Sequence, residues 1–294
     1  MLVIGNNPPG MDIVLIDETL DINQTKNYHI SIQAGLNGYS FLILDPLRNK
    51  YILLKHIQFP DGMTPVMLED KIAGIHKNDE FLAREYKSVY FSWQSPKYTL
   101  IPGPLFKRDC LRSYFEFNQV LDDLDEINYN ALQGIDAYNI FVIPSELSNI
   151  IYRSCKNVTF FHHVTPFIEH CLINHGGKDH MATVVANTYG NNIDVAVISG
   201  EELLLCNTFP WKEDSDLIYF ILYVYDQLKL DTAGVPLFLA GEISRKSTVY
   251  DLLKSYIGKI RLEKQSEHFT YSYTFNETDH HRFLNLFNLK LCVS

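Results

Sequence analysis

Three short runs dominated by β-branched and aromatic residues, Tyr28 to Gly35, Tyr39 to Asp45 and Tyr51 to Phe59, form the first clear block of the chain. Asn37-Gly38 separates the first two, and Pro46-Leu47-Arg48-Asn49 separates the second and third. Asn and Gly tolerate the positive φ of a tight hairpin, so the pattern predicts a three-stranded antiparallel meander. Beyond it, Leu68, Ile72, Ile75, Phe81 and Leu82 recur at roughly helical spacing among charges and predict a helix within Met67 to Tyr86, against Gly74 and Asn78. Ser88 to Trp93, Tyr98 to Ile101, Tyr138 to Ile143 and Val158 to Phe161 read as strands, and Arg108 to Leu121 as a helix. Ser145 predicts a cap for a helix through Arg153. Thr165-Pro166 predicts a cap and a first-turn proline for a helix through Ile173.

The same order then recurs. His180 to Thr188, Asp194 to Ser199 and Glu202 to Phe209 are β-rich, broken at Tyr189-Gly190-Asn191-Asn192 and at Gly200-Glu201. Asp214-Ser215 caps a predicted helix through Lys229, and its Leu217 to Tyr225 stretch is apolar all round, which predicts burial. A strand over Val235 to Ala240 follows. Next come a helix over Ser247 to Ile257, closed by Gly258 as a left-handed cap, and a strand over Ile260 to Leu262. Gly176-Gly177-Lys178-Asp179 marks the expected boundary between an N-terminal lobe, 1–177, and a C-terminal lobe, 178–294. A meander followed by alternating helices and strands, twice over, is a duplicated α/β architecture.

Composition narrows the functions. The chain has 294 residues, of which 46% are hydrophobic and 20% charged, enough for large cores. Lys and Arg total 25 and Asp and Glu 35, giving a net charge of −10 that argues against nucleic acid as the main partner. Cysteines 110, 155, 171, 206 and 292 are odd in number and contain no CxxC, the pattern of reduced thiols. No basic residue precedes the first apolar run, which Pro8-Pro9-Gly10 interrupts, so no signal peptide is expected. The longest apolar run, Leu217 to Tyr225, falls well short of the ~20 residues of a membrane span. A soluble, cytoplasmic protein is the expectation.

Three segments carry candidate chemistry. The turn of the first meander reads Gln33-Ala34-Gly35-Leu36-Asn37-Gly38, and that of the second reads Asn187-Thr188-Tyr189-Gly190. Further on, Leu237-Phe238-Leu239-Ala240-Gly241-Glu242 leads into Ser244-Arg245. With the duplication, these resemble the actin-like ATPase superfamily, which includes actin, the heat-shock chaperones, sugar kinases and PilM. Within it, the chain most resembles a domain-of-unknown-function family of Bacteroidota proteins over Asp12 to Leu262. The resemblance implies a duplicated ribonuclease H-like, two-lobed α/β fold. In that superfamily each hairpin carries Asp-x-Gly for magnesium and phosphate, and an apolar strand ending in Gly-Gly holds adenosine.

Here Gln33 and Asn187 stand where the acids would be, Tyr189 replaces a glycine, and Glu242 replaces the second glycine of the adenosine motif. Magnesium prefers carboxylate and phosphate oxygens, so neutral amides weaken its hold. A side chain at Tyr189 obstructs close approach of phosphate to backbone, and Glu242 brings negative charge toward an anion. The degenerate nucleotide site thus comprises Gln33, Gly35, Asn37, Asn187, Tyr189, Gly190, Asp194, Gly241 and Glu242, with Asp194 the nearest remaining acid and no catalytic residue assigned. The expectation is a non-catalytic scaffold binding a protein partner or a second copy, without cofactor. The alternative is an ATP- and magnesium-binding enzyme or switch.

Other constellations are weaker. His162, His163, His170, Cys171, His175 and His180 crowd one segment but match no zinc spacing. They read as surface or satisfied histidines, with a zinc site, and a zinc-dependent hydrolase built on it, as the alternative. His280-His281 reads as a solvated helix start, before a last helix carrying Leu284, Phe287 and Leu291 that packs on the body or on another chain. GxSxG and GxxxxGK[ST] are absent. Asp122-Asp123-Leu124-Asp125-Glu126 reads as a solvated face.

Overall fold

A computed structural model describes residues 12–177, 181–276 and 278–293. The readings placed on Pro8-Pro9-Gly10, Lys178-Asp179 and His180 lie outside the described residues. In chain order the first elements are β1 (Ile13–Ile16), β2 (His29–Gly35), β3 (Gly38–Asp45), β4 (Lys50–Gln58), α1 (Pro65–Asn78) and β5 (Ser88–Trp93). Next come β6 (Tyr98–Pro102), α2 (Leu111–Asn118), β7 (Asp125–Ala131), β8 (Ala137–Pro144), α3 (Ser145–Ser154), β9 (Val158–His162) and α4 (Val164–His175). The second series is β10 (Ala182–Tyr189), β11 (Asn192–Ser199), β12 (Glu202–Pro210), α5 (Asp214–Gln227), β13 (Leu237–Gly241), α6 (Thr248–Leu253) and β14 (Ile260–Leu262). The chain ends with β15 (Thr270–Tyr271) and α7 (Leu284–Asn288).

The two predicted meanders seed two sheets. The first runs β1-β4-β3-β2-β5-β9, with β15 joined in parallel to β4. The second runs β12-β11-β10-β13-β14. In both, an antiparallel hairpin passes into parallel neighbours, β2 to β5 and β10 to β13. Helices α1 and α3 close the first core, and α5 and α6 close the second. A separate three-stranded sheet, β6-β8-β7, is covered by α2 through Phe115. Its strand β7 has no counterpart among the expected elements: Ile127, Tyr129 and Ala131 do alternate with Asn128 and Asn130, but asparagine and acidic residues are depleted in strands and give a weak β signal.

The helix between the sheets is α4. Every residue from Val164 to Cys171 is buried. Val164 and Ile168 enter the first core, while Phe167 and Cys171 pack on Val185, Ala196 and Ile198 of the second sheet. A helix with neighbours all round needs no polar stripe. The complete burial predicted for the helix after Asp214 is corrected: Tyr219 is 60% exposed and Tyr223 42%. Helix α5 has one sheet-facing side, carrying Leu217, Ile221 and Val224.

Local details differ from expectation for identifiable reasons. The helix expected through Tyr86 stops at Asn78, because the Asp79 carboxylate accepts the backbone N–H of Phe81 at 2.9 Å and of Leu82 at 3.2 Å and turns the chain. Ser145 lies inside α3 rather than capping it, and Thr165 bonds to Asn130 and Asn139 rather than to the start of α4. Helix α6 ends at Leu253, and Gly258 is not left-handed; a Cβ there would lie 3.0 Å from the Ala233 carbonyl oxygen. The turn at Asn37-Gly38 also needs no positive φ. Gly38 is required by close approach instead, since a Cβ would stand 2.9 Å from His56 Cε1.

Gly241 has both requirements. Its φ is +82°, and a Cβ would lie 1.9 Å from the Thr188 carbonyl oxygen and 2.6 Å from the Thr188 nitrogen. The Gly241→Ala variant is therefore expected to lose about 3 kcal/mol or more, from left-handed strain plus overpacking against backbone. Urea unfolding checks this; an unchanged midpoint would refute the steric account.

Candidate functional site

The tips of the two hairpins meet at the interface of the sheets, and β13 ends beside them. On the first hairpin, Gln33 is half-buried and its Oε1 has no hydrogen-bond partner. Gly35 abuts Gln94, whose Oε1 would lie 2.8 Å from an added Cβ. Asn37 at the tip donates from Nδ2 to Glu242 Oε1 at 2.9 Å. Glu242 Oε2 accepts the Gly190 backbone N–H at 3.2 Å, so one carboxylate clasps both tips. The Glu242 backbone is held in turn, its N–H donating to Thr188 Oγ1 at 2.9 Å. Gly190, with φ +47°, supplies the second tip's turn.

Behind the tips lies a buried carboxylate. Asn187 and Asp194 face each other across the β10–β11 ladder, and Asn187 Nδ2 donates to Asp194 Oδ2 at 3.3 Å. The same Oδ2 is 2.9 Å from His163 Nε2, and Thr208 Oγ1 donates to Oδ1 at 2.6 Å. His163 Nδ1 accepts the Ser95 backbone N–H at 3.4 Å, which places the ring proton on Nε2, facing Asp194. Both side chains of this pair are fully buried. Tyr189 lies edge-on to His163, ring centroids 4.7 Å apart, and burial followed by the nearby Asp194 charge pushes its phenol well above its ordinary pKa.

Three partners here carried no sequence signal as site residues: Thr208, His56 and Arg282. His163 was visible only as one of a crowded set. Arg282, from the C-terminal segment, donates to Gln58 Oε1 at 2.9 Å and lies 3.1 Å from His56 Nε2. Gln33, Asn187, Tyr189, Glu242 and Arg282 line a narrow, half-open space of about 30 Å³. A larger cavity of about 420 Å³ opens on the other side of Glu242, between Gly241, Ser247 and Thr248 and the His281–Arg282 segment.

The remaining histidines are placed as follows. His162 is buried, with Nε2 2.9 Å from the Ser95 carbonyl oxygen; burial, then His163, pushes its pKa well down, partly offset by that carbonyl. His281 is buried 2.7 Å from the Ile243 carbonyl oxygen, correcting its reading as a solvated helix start. The last helix does pack on the body: Phe287 joins the first-sheet strands β3 and β4, and Leu284 joins α4. Among the described residues, His170, His175 and Glu263 bring potential metal-ligand atoms within 4.8 Å of one another. Cys171 lies instead in an apolar cluster.

Buried neutral histidines make the fold acid-sensitive. His56, through burial and then Arg282, and His76, through burial, fall from 6.5 to about 4. Below pH 6.5 the unfolded chain binds protons that the folded chain refuses. Stability is thus full above that pH and lost as pH falls toward 4, by up to about 1.4 kcal/mol per pH unit for each histidine. Denaturant unfolding at pH 7, 6 and 5 is expected to show this slope, and His56→Gln to flatten it; equal slopes would refute the assignment.

With that geometry in hand, comparisons place the chain. A crystal structure of a Bacteroides thetaiotaomicron protein with an actin-like ATPase fold and unknown function superposes with a TM-score of 0.76 at 25% identity, over 83% of this chain and 94% of that one. The PilM–PilN type IV pilus biogenesis complex matches with a TM-score of 0.58 at 10% identity, over 90% of this chain and 98% of the other. The ethanolamine utilization protein EutJ from Carboxydothermus hydrogenoformans matches at 0.52 and 9% identity, over 94% and 92%. No curated protein matches in sequence. Residues 17–260 match the family model described as Protein of unknown function (DUF3822). The chain belongs to that family, and its fold is the duplicated, actin-like ATPase fold.

Proposed function

We propose that this protein is a non-catalytic member of the actin-like fold, a cytoplasmic scaffold that works through contacts with another protein or a second copy, without nucleic acid. The observation that carries the reading is the narrowness of the space between the hairpin tips. Glu242 bridges it by bonding Asn37 and Gly190, and both oxygens of Asp194 are already engaged by His163, Asn187 and Thr208. A space of about 30 Å³ takes only about one to three waters, which leaves little room for a hydrated magnesium and a polyphosphate between the tips. Gln33 and Asn187 offer no charge to such an ion. In this reading the lobes divide near Gly177, and the old phosphate locus serves as an internal fastening.

The outer surface supports a binding role. Phe117 is 86% exposed, and Val120 and Leu124 beside it are also well exposed on the small sheet module. Isolated exposed apolar residues are ordinary, but a run of them on one module is a candidate contact. PilM, a fold relative, occurs in a complex with PilN, which fits a fold that acts by association. Among the described residues no helix is long and apolar enough to cross a membrane.

The cavity of about 420 Å³ beside Gly241, Ser247 and Thr248 favours a second reading, a nucleotide-binding switch. Calorimetry with ATP and magnesium at millimolar ligand separates the two. The scaffold reading expects no saturable heat and no ATP turnover. Saturable binding supports the switch, and turnover abolished by removing magnesium overturns the scaffold.

A further inference from the structure

We propose that His170, His175 and Glu263 form a divalent metal site of the zinc class, one that pins the second sheet to the helix between the lobes. His170 and His175 lie on α4, and Glu263 directly follows β14. The nitrogens converge on one carboxylate: His175 Nε2 is 2.6 Å from Glu263 Oε1, and His170 Nε2 is 3.2 Å from Oε2. His170 is 1% exposed and Glu263 8%.

The His170 contact is the telling one. Its Nε2 is buried, yet it makes no aligned hydrogen bond even at that distance. A buried N–H that faces a carboxylate in poor alignment forfeits much of its hydrogen bond, so the arrangement calls for an explanation. A cation shared among the three side chains supplies one, because each donor then points at a common centre rather than at its neighbour. Zinc–nitrogen and zinc–oxygen bonds of about 2.0–2.2 Å put ligand atoms roughly 3.3 Å apart in a tetrahedron. The observed cluster, within 4.8 Å, reaches that arrangement with small side-chain movements. Two imidazoles and a carboxylate are an accepted zinc donor set, with water in the fourth position. Glu263 also lines a groove together with Gln265, Ser266 and His280, which gives that water a route.

The surroundings set the proton bookkeeping. The Nδ2 atoms of Asn174 and Asn288 both lie 3.1 Å from His170 Nδ1. Donation from both places the ring proton on Nε2 when no metal is bound. Ligation through Nε2 moves that proton to Nδ1, which then needs an acceptor. Asn288 Oδ1, buried and without a partner, is brought there by a half-turn of its amide, at the expense of the bond from Nδ2 to the Leu284 carbonyl oxygen. Metal binding would thereby also be felt at α7. The expected role is a structural clasp joining α4, the exit from β14 and the C-terminal segment.

The test uses the full chain, stripped with chelator and titrated with zinc in competition with a chromophoric chelator. One zinc per chain is expected, with micromolar or tighter affinity and a raised melting temperature. His175→Ala and Glu263→Gln are expected to weaken binding about 100-fold or more, because losing a ligand exceeds the usual loss of an outer partner. His268→Ala, at an exposed position, should bind as the parent does. Cobalt in place of zinc should give the intense visible bands of a tetrahedral site. Failure to bind one equivalent, equal affinity in His175→Ala, or the faint bands of octahedral cobalt would each overturn the proposal. The cobalt spectrum of the parent protein keeps the proposal open to refutation should either variant fail to fold.

Discussion

A carboxylate with no access to water is tolerated only when its charge is matched by donors on every side. Asp194 is in that position, and its principal partner, His163, comes from the other half of the molecule, at the start of α4. The relative placement of the two sheets follows from this constraint. If β11 slid against α4, the Asp194 charge would be stranded and the His163 donor lost with it. The clasp by Glu242 and the packing of Tyr189 on His163 are then consequences of sheets already held in register. The Asp194–His163 pair thus fastens the two sheets, with a cavity of about 420 Å³ opening near the hairpin tips in front of it.

Much of the architecture was legible because its central strands are buried on both faces and so read as short, nearly continuous apolar and β-branched runs between turn residues. The six meander strands were placed from those runs and from the turn residues between them. Helix burial was less legible. The Leu217 to Tyr225 run looks uniformly apolar because tyrosine counts as apolar, whereas Tyr219 and Tyr223 turn their rings outward. Conversely, α4 carries His170, Glu169 and Thr165 and looks amphipathic, yet it is enclosed because its polar groups find partners inside. Glu169, for example, accepts the Gly134 backbone N–H at 3.2 Å. Burial of a polar residue depends on distant donors, which local spacing does not encode.

The candidate site divides along the same line. Gln33, Asn37, Asn187, Gly190, Gly241 and Glu242 were singled out by their resemblance to the superfamily's hairpin and strand-end motifs, and the structure brings them together at the hairpin tips. Their pairings were not foreseeable: Asn37 reaches Glu242 across 205 positions, and Arg282 reaches Gln58 across 224. Gly38 shows the limit in miniature. Its location was right, but the cause was contact with the His56 ring rather than backbone handedness. The histidines show it again, because the partners that distinguish His162, His163 and His281 from surface residues are backbone carbonyls and acids far away in the chain.

The return of Thr270–Tyr271 to β4 has a consequence for how the halves could move. The second sheet, from Ala182 to Leu262, is one contiguous excursion that departs from the first body and rejoins it. In connectivity it is an insertion with two covalent tethers rather than a bead at the end of a string. Any relative movement of the second sheet has to be absorbed at both tethers at once, so it needs two hinges where a terminal domain needs one.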